Sequence, residues 1–451
     1  MYALYSLLTA AGMLLLSPYF LLRGLIQGKY LTNIPERLGL RFPSALRDRD
    51  SFGSGEKSIW IHAVSVGEVL AALPLAEQLN RRYPLRRLVV STTTVTGQNL
   101  ARERMPFAHA VFYFPLDWRG PVQRALAASR AGAVIIVETE IWPNFLRECC
   151  HRRVPVIFVN GRLSERSYHG YGRALSLSAG ILAGFLKNVL SDATLFLMQS
   201  EEDAARLIVL GAPGSRVLVA GNLKYDLDVP EESNLSLWLA SELEANHRRP
   251  VIVAGSILAN EESPVLKAFA GVEREFPRAL LILAPRKPEQ FDNAAAIVTR
   301  SGRKLLRRRD LVLNGAGNPA LSDPGSVLLL DSLGELAGLY RLADAVFVGG
   351  SLVAGGGHNI LEPAAFGKVP VYGPSMENFR EMSGKFLAAN AAIQVKNSEE
   401  LGAAWGSLLR EPERAARLGV SARELVDRNR GATERVLGQI ERIVGCDRGG
   451  R

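Results

Sequence analysis

Ser65 and Glu68 stand three residues apart in the run His62-Ala-Val-Ser-Val-Gly-Glu68, between an apolar segment and a helix-like one. A carboxylate at such a junction could act as a general base and take a proton from a hydroxyl group. The same Ser-x-x-Glu spacing is that of a capping box, in which both side chains bind backbone N–H groups at the start of a helix. By spacing alone, the capping box is the favoured interpretation of Glu68.

A second acidic group, Glu138-Thr-Glu140, closes another apolar run and is followed by Trp142-Pro143. A carboxylate buried at a strand end needs a partner, because desolvating an unpaired charge is unfavourable. Arg162, which follows the next predicted strand, is a candidate partner. The residues leave two interpretations of Glu138 equally open, a structural ion pair and a functional group.

Two cations also follow predicted strands. Lys224, in a polar run near the junction of two predicted domains, could meet a phosphate, although a single lysine in such a place is more often simply solvated. Arg286, directly after Pro285, has the planar guanidinium fork that binds phosphate through two hydrogen bonds. The lysine is weak evidence by itself, and the arginine is suited to bind phosphate.

Glycines are concentrated in the segment 349–363, which reads GGSLVAGGGHNILEP. Glycine-rich loops before a helix let the backbone approach phosphate, and the carboxylate of Glu362 could accept hydrogen bonds from ribose hydroxyls. A turn with an N-cap does not account for so many glycines followed by His-Asn and Glu-Pro. The segment therefore predicts nucleotide binding.

Other nucleotide and metal motifs are missing from the sequence. No GxGxxG follows the first predicted strand, which argues against a dehydrogenase, and no GxxxxGK[ST] occurs, which argues against a P-loop NTPase. The two Asp-x-Asp triplets, at 48–50 and 226–228, lie in predicted linkers and not at strand ends. We therefore expect no metal site and no bound cofactor.

These groups need a scaffold that brings strand ends together, and the hydrophobic pattern predicts one. Short apolar runs without alternation, typical of parallel strands buried on both faces, recur between helical stretches. The predicted strands are 58–62, 88–92, 133–138, 154–160, 195–199 and 217–221 in a first set, and 251–255, 280–284, 327–331, 345–349 and 369–373 in a second. The pattern predicts two doubly wound α/β domains, with ligands at the carboxyl ends of the strands in a cleft between the domains.

The amino terminus predicts attachment to a membrane. Residues 1–22 carry no charged side chain and are mostly apolar, which is about the length of a bilayer-spanning helix; a helix lying in the interface plane is the alternative. Basic residues follow, and the positive-inside rule then places the rest of the chain in the cytoplasm. Residues 1–230 hold 26 Lys and Arg against 18 Asp and Glu, which favours an anionic partner such as phospholipid. Aromatic residues make up only 7% and no nucleic-acid motif occurs, so nucleic acid is not expected.

Taken together, these runs resemble the 3-deoxy-D-manno-octulosonic acid (Kdo) transferases of lipopolysaccharide synthesis. The segments that carry the resemblance are 60–68, 138–144, 160–167, 221–226, 284–288, 331–336 and 349–363. The resemblance implies a GT-B fold and inverting transfer of Kdo from CMP-Kdo to the lipid A precursor lipid IVA, at the cytoplasmic face of the inner membrane. It implies no metal.

The resemblance also assigns roles to residues. It makes Glu68 the proton acceptor, against the preference for a capping box, and Glu138 and Lys224 the groups that stabilise the transition state. The residues that correspond to the CMP-binding segments are Pro285, Arg286, Leu333, Gly334, Glu335, Asn359, Ile360, Leu361 and Glu362.

The domain organisation that follows has five parts: an anchor helix 1–22, a basic linker 23–57, an amino-terminal acceptor domain 58–230, a carboxy-terminal CMP-sugar domain 231–397 and terminal helices 398–451. Two other functions fit part of the pattern. One is a GT-B transferase or epimerase that uses a UDP-sugar, and the other is a membrane-tethered nucleotide-binding protein without catalysis.

Overall fold

The fold is known from a computed structural model that describes residues 1–27, 33–47, 56–163, 168, 170, 180–226, 232–313, 321 and 323–445, with backbone only for 18–27. The chain divides into two compact units. Unit 1 comprises residues 1–226 and 429–451, and unit 2 comprises residues 227–428.

Unit 1 contains a sheet of seven parallel strands in the order β3-β2-β1-β4-β5-β6-β7. The strands are β1 (Ser58–His62), β2 (Leu88–Thr92), β3 (Ala110–Tyr113), β4 (Ala131–Val137), β5 (Val156–Gly161), β6 (Leu195–Met198) and β7 (Val217–Val219). Every residue of β1, β2, β4 and β5 is buried, as expected for central strands covered on both faces. The edge strand β3 was not predicted from the sequence.

Helices cover both faces of this sheet. They are α1 (Tyr2–Gln27), α2 (Ile34–Arg37), α3 (Ser44–Arg47), α4 (Val66–Arg82), α5 (Val95–Arg104), α6 (Arg119–Ser129), α7 (Pro143–His151), α8 (Ile181–Ser191) and α9 (Glu201–Val209), with two 3₁₀ helices at Gly214–Arg216 and Leu223–Tyr225. One apolar core joins the sheet to α6 and α7. The core on the other face joins it to α4.

Unit 2 repeats this architecture with seven parallel strands in the order β10-β11-β9-β8-β12-β13-β14. They are β8 (Val251–Ile257), β9 (Leu280–Pro285), β10 (Leu305–Arg307), β11 (Val327–Leu329), β12 (Ala345–Val348), β13 (Val371–Tyr372) and β14 (Ile393–Gln394). In both units the chain adds strands first on one side of a central strand and then on the other. Both sheets are therefore doubly wound, as predicted.

The helices of unit 2 are α10 (Asn234–Ala245), α11 (Glu262–Glu275), α12 (Phe291–Arg300), α13 (Leu336–Leu339), α14 (Leu361–Ala365), α15 (Arg380–Ala388), α16 (Ser398–Arg410) and α17 (Pro412–Asn429), with 3₁₀ helices at Pro288–Gln290, Arg308–Asp310, Tyr340–Leu342 and Glu377–Phe379. Trp405 of α16 is fully buried against the sheet and donates from Nε1 to the carbonyl of Val346 at 3.1 Å.

The last helix, α18 (Ala432–Val444), belongs to unit 1. Its residues Val436, Leu437 and Ile440 are fully buried in the same core as α4. The division based on the sequence places all helices after residue 398 in one block. The structure instead distributes them over the two units. α16 and α17 complete unit 2, and α18 completes unit 1.

Helix α1 packs against the rest of unit 1 through one polar face. Tyr2 donates from its hydroxyl to Asp192 at 2.6 Å, and Thr9 accepts a hydrogen bond from Nε1 of Trp118 at 3.1 Å. Ser6, between them on the same face, accepts from Nδ2 of Asn144 at 2.9 Å. This spacing of polar residues is what a helix needs to present a single docking face.

The residues that the structure describes include no helix with both the length and the apolar character required to cross a bilayer. The prediction of a membrane-spanning anchor over residues 1–22 is therefore not supported. The helix itself forms as predicted, but its first three turns carry the polar groups that bind it to unit 1.

Candidate functional site

Three charged residues of unit 1 meet at the carboxyl edge of its sheet. Glu68 lies in the first turn of α4 after β1, and Glu138 directly follows β4, the strand that pairs with β1. Lys224, in the 3₁₀ helix after β7, places Nζ 3.5 Å from Oε1 of Glu138. Glu138 adopts φ of +61°, a left-handed conformation that is unfavourable for a non-glycine residue. Such backbone strain at a strand end is typical of functional positions.

The carboxylate of Glu68 is held by two hydrogen bonds. The hydroxyl of Ser65 donates to Oε1 at 2.8 Å, and the backbone N–H of Val64 donates to Oε2 at 2.8 Å. In a capping box Ser65 would accept a backbone N–H of the helix, and Glu68 would bind the N–H of Ser65 itself. Ser65 makes no such bond. The capping interpretation is therefore wrong, because the serine donates to the carboxylate and does not cap the helix.

Burial and neighbouring negative charge tune this carboxylate. Glu68 is 7% exposed, and burial, with Glu138 as the next cause, raises its pKa from 4.5 to about 7. Glu140 adds to this shift, and its own pKa is raised by burial and by Glu138. A carboxylate with a pKa near 7 is well matched to accept a proton at neutral pH.

A polar network places Lys224. The fully buried Asn160, at the end of β5, accepts the N–H of Leu223 on Oδ1 at 3.0 Å, and Asn222 accepts the N–H of Lys224 at 2.9 Å. Gln199, after β6, accepts from Nδ2 of Asn222 at 2.9 Å. The sequence analysis did not identify these three amides, although each polar residue follows or ends an apolar strand.

The ion-pair partner that the sequence suggested for Glu138 is incorrect. Arg162 bonds through its backbone to Oγ1 of Thr139, with the two hydrogen bonds at 2.7 and 2.9 Å. The cation that contacts Glu138 is Lys224. At this distance the carboxylate of Glu138 and the ammonium group of Lys224 hold each other in position. Both side chains remain partly exposed, Glu138 at 28% and Lys224 at 22%.

In unit 2, three of the predicted nucleotide-binding residues lie near one another. Arg286 is exposed directly after β9, and its charge acts on both His358 and Glu362. Burial raises the pKa of Glu362, and Nδ2 of Asn359 lies 3.4 Å from Oε1 of that residue. Burial lowers the pKa of His358 to about 4, so its imidazole is neutral at pH 7; the sequence analysis did not single out this residue.

The glycine-rich segment binds an internal anion. The fully buried Glu261 accepts the backbone N–H groups of Gly350 at 2.6 Å, of Ser351 at 2.9 Å and of Leu352 at 2.8 Å. Gly349 is required for close packing, since a Cβ there would lie 2.5 Å from the carbonyl oxygen of Ser256. Much of the glycine content therefore has a structural cause, and these N–H groups are already used by a carboxylate.

The third predicted nucleotide-binding segment is a turn after β11. Leu333 is 63% exposed, and Gly334 has φ of +85°, a conformation that glycine adopts at little steric cost. Arg308 donates to the carboxylate of Glu335 from Nε at 2.9 Å and from Nη2 at 2.8 Å, and Ser332 also donates to Glu335. The carboxylate of Glu335 is thus paired with Arg308, which belongs to a segment rich in Lys and Arg at residues 300–309.

No group of three or more His, Cys, Asp or Glu side chains within the described ranges is arranged to hold a metal ion.

The arrangement of two doubly wound units is shared with a solved structure. A solved UDP-N-acetylglucosamine 2-epimerase superposes with a TM-score of 0.52 over 87% of this chain and 97% of its own, at 14% sequence identity, which shows a shared fold. Two doubly wound α/β units of this kind make up the GT-B fold.

A family profile described as 3-Deoxy-D-manno-octulosonic-acid transferase (kdotransferase) matches residues 32–227. The 3-deoxy-D-manno-octulosonic acid transferase of Haemophilus influenzae is 34% identical over 390 residues, covering 84% of this chain and 86% of the relative. The chain belongs to this family of Kdo transferases. The transferase of the same name from Bordetella pertussis is 32% identical over 405 residues, covering 86% of this chain and 87% of the relative.

Proposed function

We propose that this protein transfers Kdo from CMP-Kdo to a hydroxyl group of the lipid A precursor lipid IVA, with inversion at the anomeric carbon. Membership of the Kdo transferase family supports the sugar and the reaction class. The observation that carries the mechanism is the carboxylate of Glu68, held by Ser65 and Val64 with a pKa of about 7.

Glu68 takes the proton of the acceptor hydroxyl as that oxygen attacks the anomeric carbon of Kdo. The C–O bond to the CMP phosphate breaks at the same time, and the phosphate leaves with the electron pair. Because a phosphate is a weak base, it needs no general acid. Positive charge that develops on the sugar is stabilised by Glu138, while Lys224 holds Glu138 and counters the charge of the leaving group.

The nucleotide would bind unit 2. Arg286 is exposed and can form two hydrogen bonds with the single phosphate of CMP. Glu362 and Asn359 suit the ribose hydroxyls, because together they offer acceptors and a donor. α14 has only five residues, so we assign the recognition of phosphate to the arginine and not to the helix dipole. We propose that no metal takes part.

We also propose that unit 1 works at the membrane surface, on the cytoplasmic side of the inner membrane. α1 is bound to unit 1 by its polar face and exposes leucines on its other face, among them Leu14 at 75% and Leu15 at 81%. Ile181 at the start of α8, which packs on α1 through Phe185, is 63% exposed. Exposed apolar side chains on an otherwise basic unit are typical of helices that lie in the lipid interface.

The decisive experiment is incubation of the protein with CMP-Kdo and detergent-solubilised lipid IVA, followed by mass spectrometry of the lipid. We expect addition of one or more Kdo masses, and release of CMP in the same amount. Glu68→Gln is the matched control, because it keeps the shape of the side chain and removes the base. Thermal protection by CMP but not by UDP would separate this function from that of a UDP-sugar enzyme.

A further inference from the structure

Arg37, the last residue of α2, is a cation whose side chain contacts a backbone carbonyl and an aromatic ring. Its Nη2 donates to the backbone carbonyl of Thr93, and its guanidinium lies 5.0 Å from the centre of the Tyr113 ring. Among the residues that the structure describes, no carboxylate forms an ion pair with it. Arg37 is partly buried, and this burial lowers the pKa of its guanidinium group against the opposite effect of the neighbouring Glu36. A desolvated guanidinium with unused donors is suited to bind an anion.

The position of Arg37 is linked to the proposed base by successive hydrogen bonds. Arg37 binds the carbonyl of Thr93, the N–H of Thr93 donates to the carbonyl of Val64 at 3.1 Å, and the N–H of Val64 donates to Glu68. Burial lowers the pKa of His62, at the end of β1, to about 3, and the charge of Arg37 contributes to that shift. Arg37 therefore lies at the same carboxyl edge as Glu68.

A second series of contacts links Arg37 to the helix that exposes leucines. The carbonyl of Arg37 accepts the N–H of Leu116 at 2.8 Å. Trp118, two residues further on, donates to Thr9 of α1. Arg37 is thus connected through short series of contacts both to α1 and to the base. A lipid whose tail is in the membrane and whose hydroxyl reaches Glu68 needs its polar head in this region.

The charge around Arg37 is positive. Arg102 of α5 acts electrostatically on Tyr113 and on Glu36, as Arg37 does, and forms no ion pair with any described residue. Glu36 is the only acid that these contacts include, and it accepts the N–H of Tyr113 at 2.9 Å. Two guanidinium groups and one carboxylate leave one net positive charge.

We infer that Arg37 binds a phosphate group of the acceptor, an inference that rests on the proposed function. Thr93 directly follows β2, the strand that pairs with β1 on one side. Lys224 follows β7, which lies on the other side of β1 in the order of the sheet. Neighbouring strands lie about 5 Å apart, so the distance from the guanidinium of Arg37 to the carboxylate of Glu68 is roughly the length of one or two sugar rings. A phosphate on the sugar that carries the attacking hydroxyl fits this separation, whereas the CMP phosphate is assigned to Arg286.

The test compares two acceptors, lipid IVA and lipid IVA dephosphorylated with a phosphatase, using wild-type protein and the Arg37→Gln variant. We expect Arg37→Gln to lower kcat/KM for lipid IVA by about 10–100-fold, the usual effect of losing a hydrogen bond to a charged group. Its kcat/KM for the dephosphorylated acceptor and its KM for CMP-Kdo should stay at wild-type values. Arg104→Gln, which removes an exposed arginine at the end of α5, is the control and should change neither acceptor.

Equal losses with both acceptors would overturn the inference, because they would show that Arg37 only fastens α2 to Thr93. An increase in the KM for CMP-Kdo alone would also overturn it and would assign Arg37 to the donor. If Arg37→Gln does not fold, Arg37→Lys serves instead: it keeps the charge, loses the planar fork, and should show a smaller loss confined to lipid IVA. Transfer by the wild-type protein to neither acceptor would refute the proposed function itself, and this inference with it.

Discussion

Replacing Glu68 with glutamine should lower turnover and raise stability at the same time. Loss of a general base typically reduces the rate by about 10²–10⁴-fold. Glutamine can keep both observed contacts, since its carbonyl can accept the N–H of Val64 and its NH₂ group can donate to the hydroxyl of Ser65. The fold should therefore be preserved while proton transfer is lost.

The stability effect follows from the pKa of Glu68. The folded protein raises this pKa from 4.5 to about 7, so it holds the proton more tightly than the unfolded chain does. Stability is therefore lost as pH rises from about 4.5 through 7. At about 1.4 kcal/mol per pKa unit, full ionisation costs about 3 kcal/mol as an upper limit. Glutamine carries no charge, so the variant should melt roughly 5 °C higher than wild type at pH 8.5 and at the same temperature at pH 4.

The assay is the pH dependence of kcat/KM together with thermal melting of both proteins. Wild-type kcat/KM should rise with pH and level off above about 7, as the base loses its proton, and the variant should lack this rise. Near-normal turnover by Glu68→Gln would refute the assignment and move the search to Glu138 and Glu140. A variant that melts at or below wild type at pH 8.5 would refute the electrostatic reasoning even if turnover falls.

Four further measurements test other parts of the site. Lys224→Met should reduce kcat by about 10²–10³-fold with little change in substrate KM, because it removes charge stabilisation; an unchanged kcat would contradict this. Arg286→Ala should weaken CMP binding in calorimetry by about 10–100-fold, whereas Lys287→Ala, a change at the exposed neighbouring residue, should not. EDTA should leave the rate unchanged, and a loss restored by a divalent cation would show a metal requirement. Leu14→Asp with Leu15→Asp should reduce binding to anionic vesicles while sparing activity on detergent-solubilised acceptor.

The parallel sheets could be predicted from the sequence because central strands buried on both faces read as unbroken apolar runs. The edge strands β3, β10 and β14 could not. β10 reads Leu-Leu-Arg and β14 reads Ile-Gln, so each ends in a polar residue and contains no unbroken apolar run. β3 has four residues, one of which is only partly buried.

The residue types of the candidate site could be predicted from the sequence. The hydrogen-bond and ion-pair partners of these residues could not. Ser65-x-x-Glu68 is the same sequence whether the serine caps a helix or donates to a carboxylate, and only the direction of the hydrogen bond separates the two. The anion bound by Gly350 and its neighbours comes from Glu261, almost 90 residues earlier, so no local pattern could reveal it. The partners of Glu138 and Lys224 depend likewise on how distant strands are ordered in the sheet.

The placement of α18 in unit 1 affects how the protein is made. Unit 1 emerges from the ribosome first, but the helix that buries Val436, Leu437 and Ile440 in its core comes last. About 200 residues of unit 2 must be synthesised in between, which takes roughly 10–40 s at usual translation rates. During that time the nascent unit 1 has an uncovered apolar surface beside α4, whereas unit 2 is contiguous and can fold as soon as it is complete. Premature termination near residue 430 would therefore leave unit 2 intact and unit 1 exposed to chaperones and proteases.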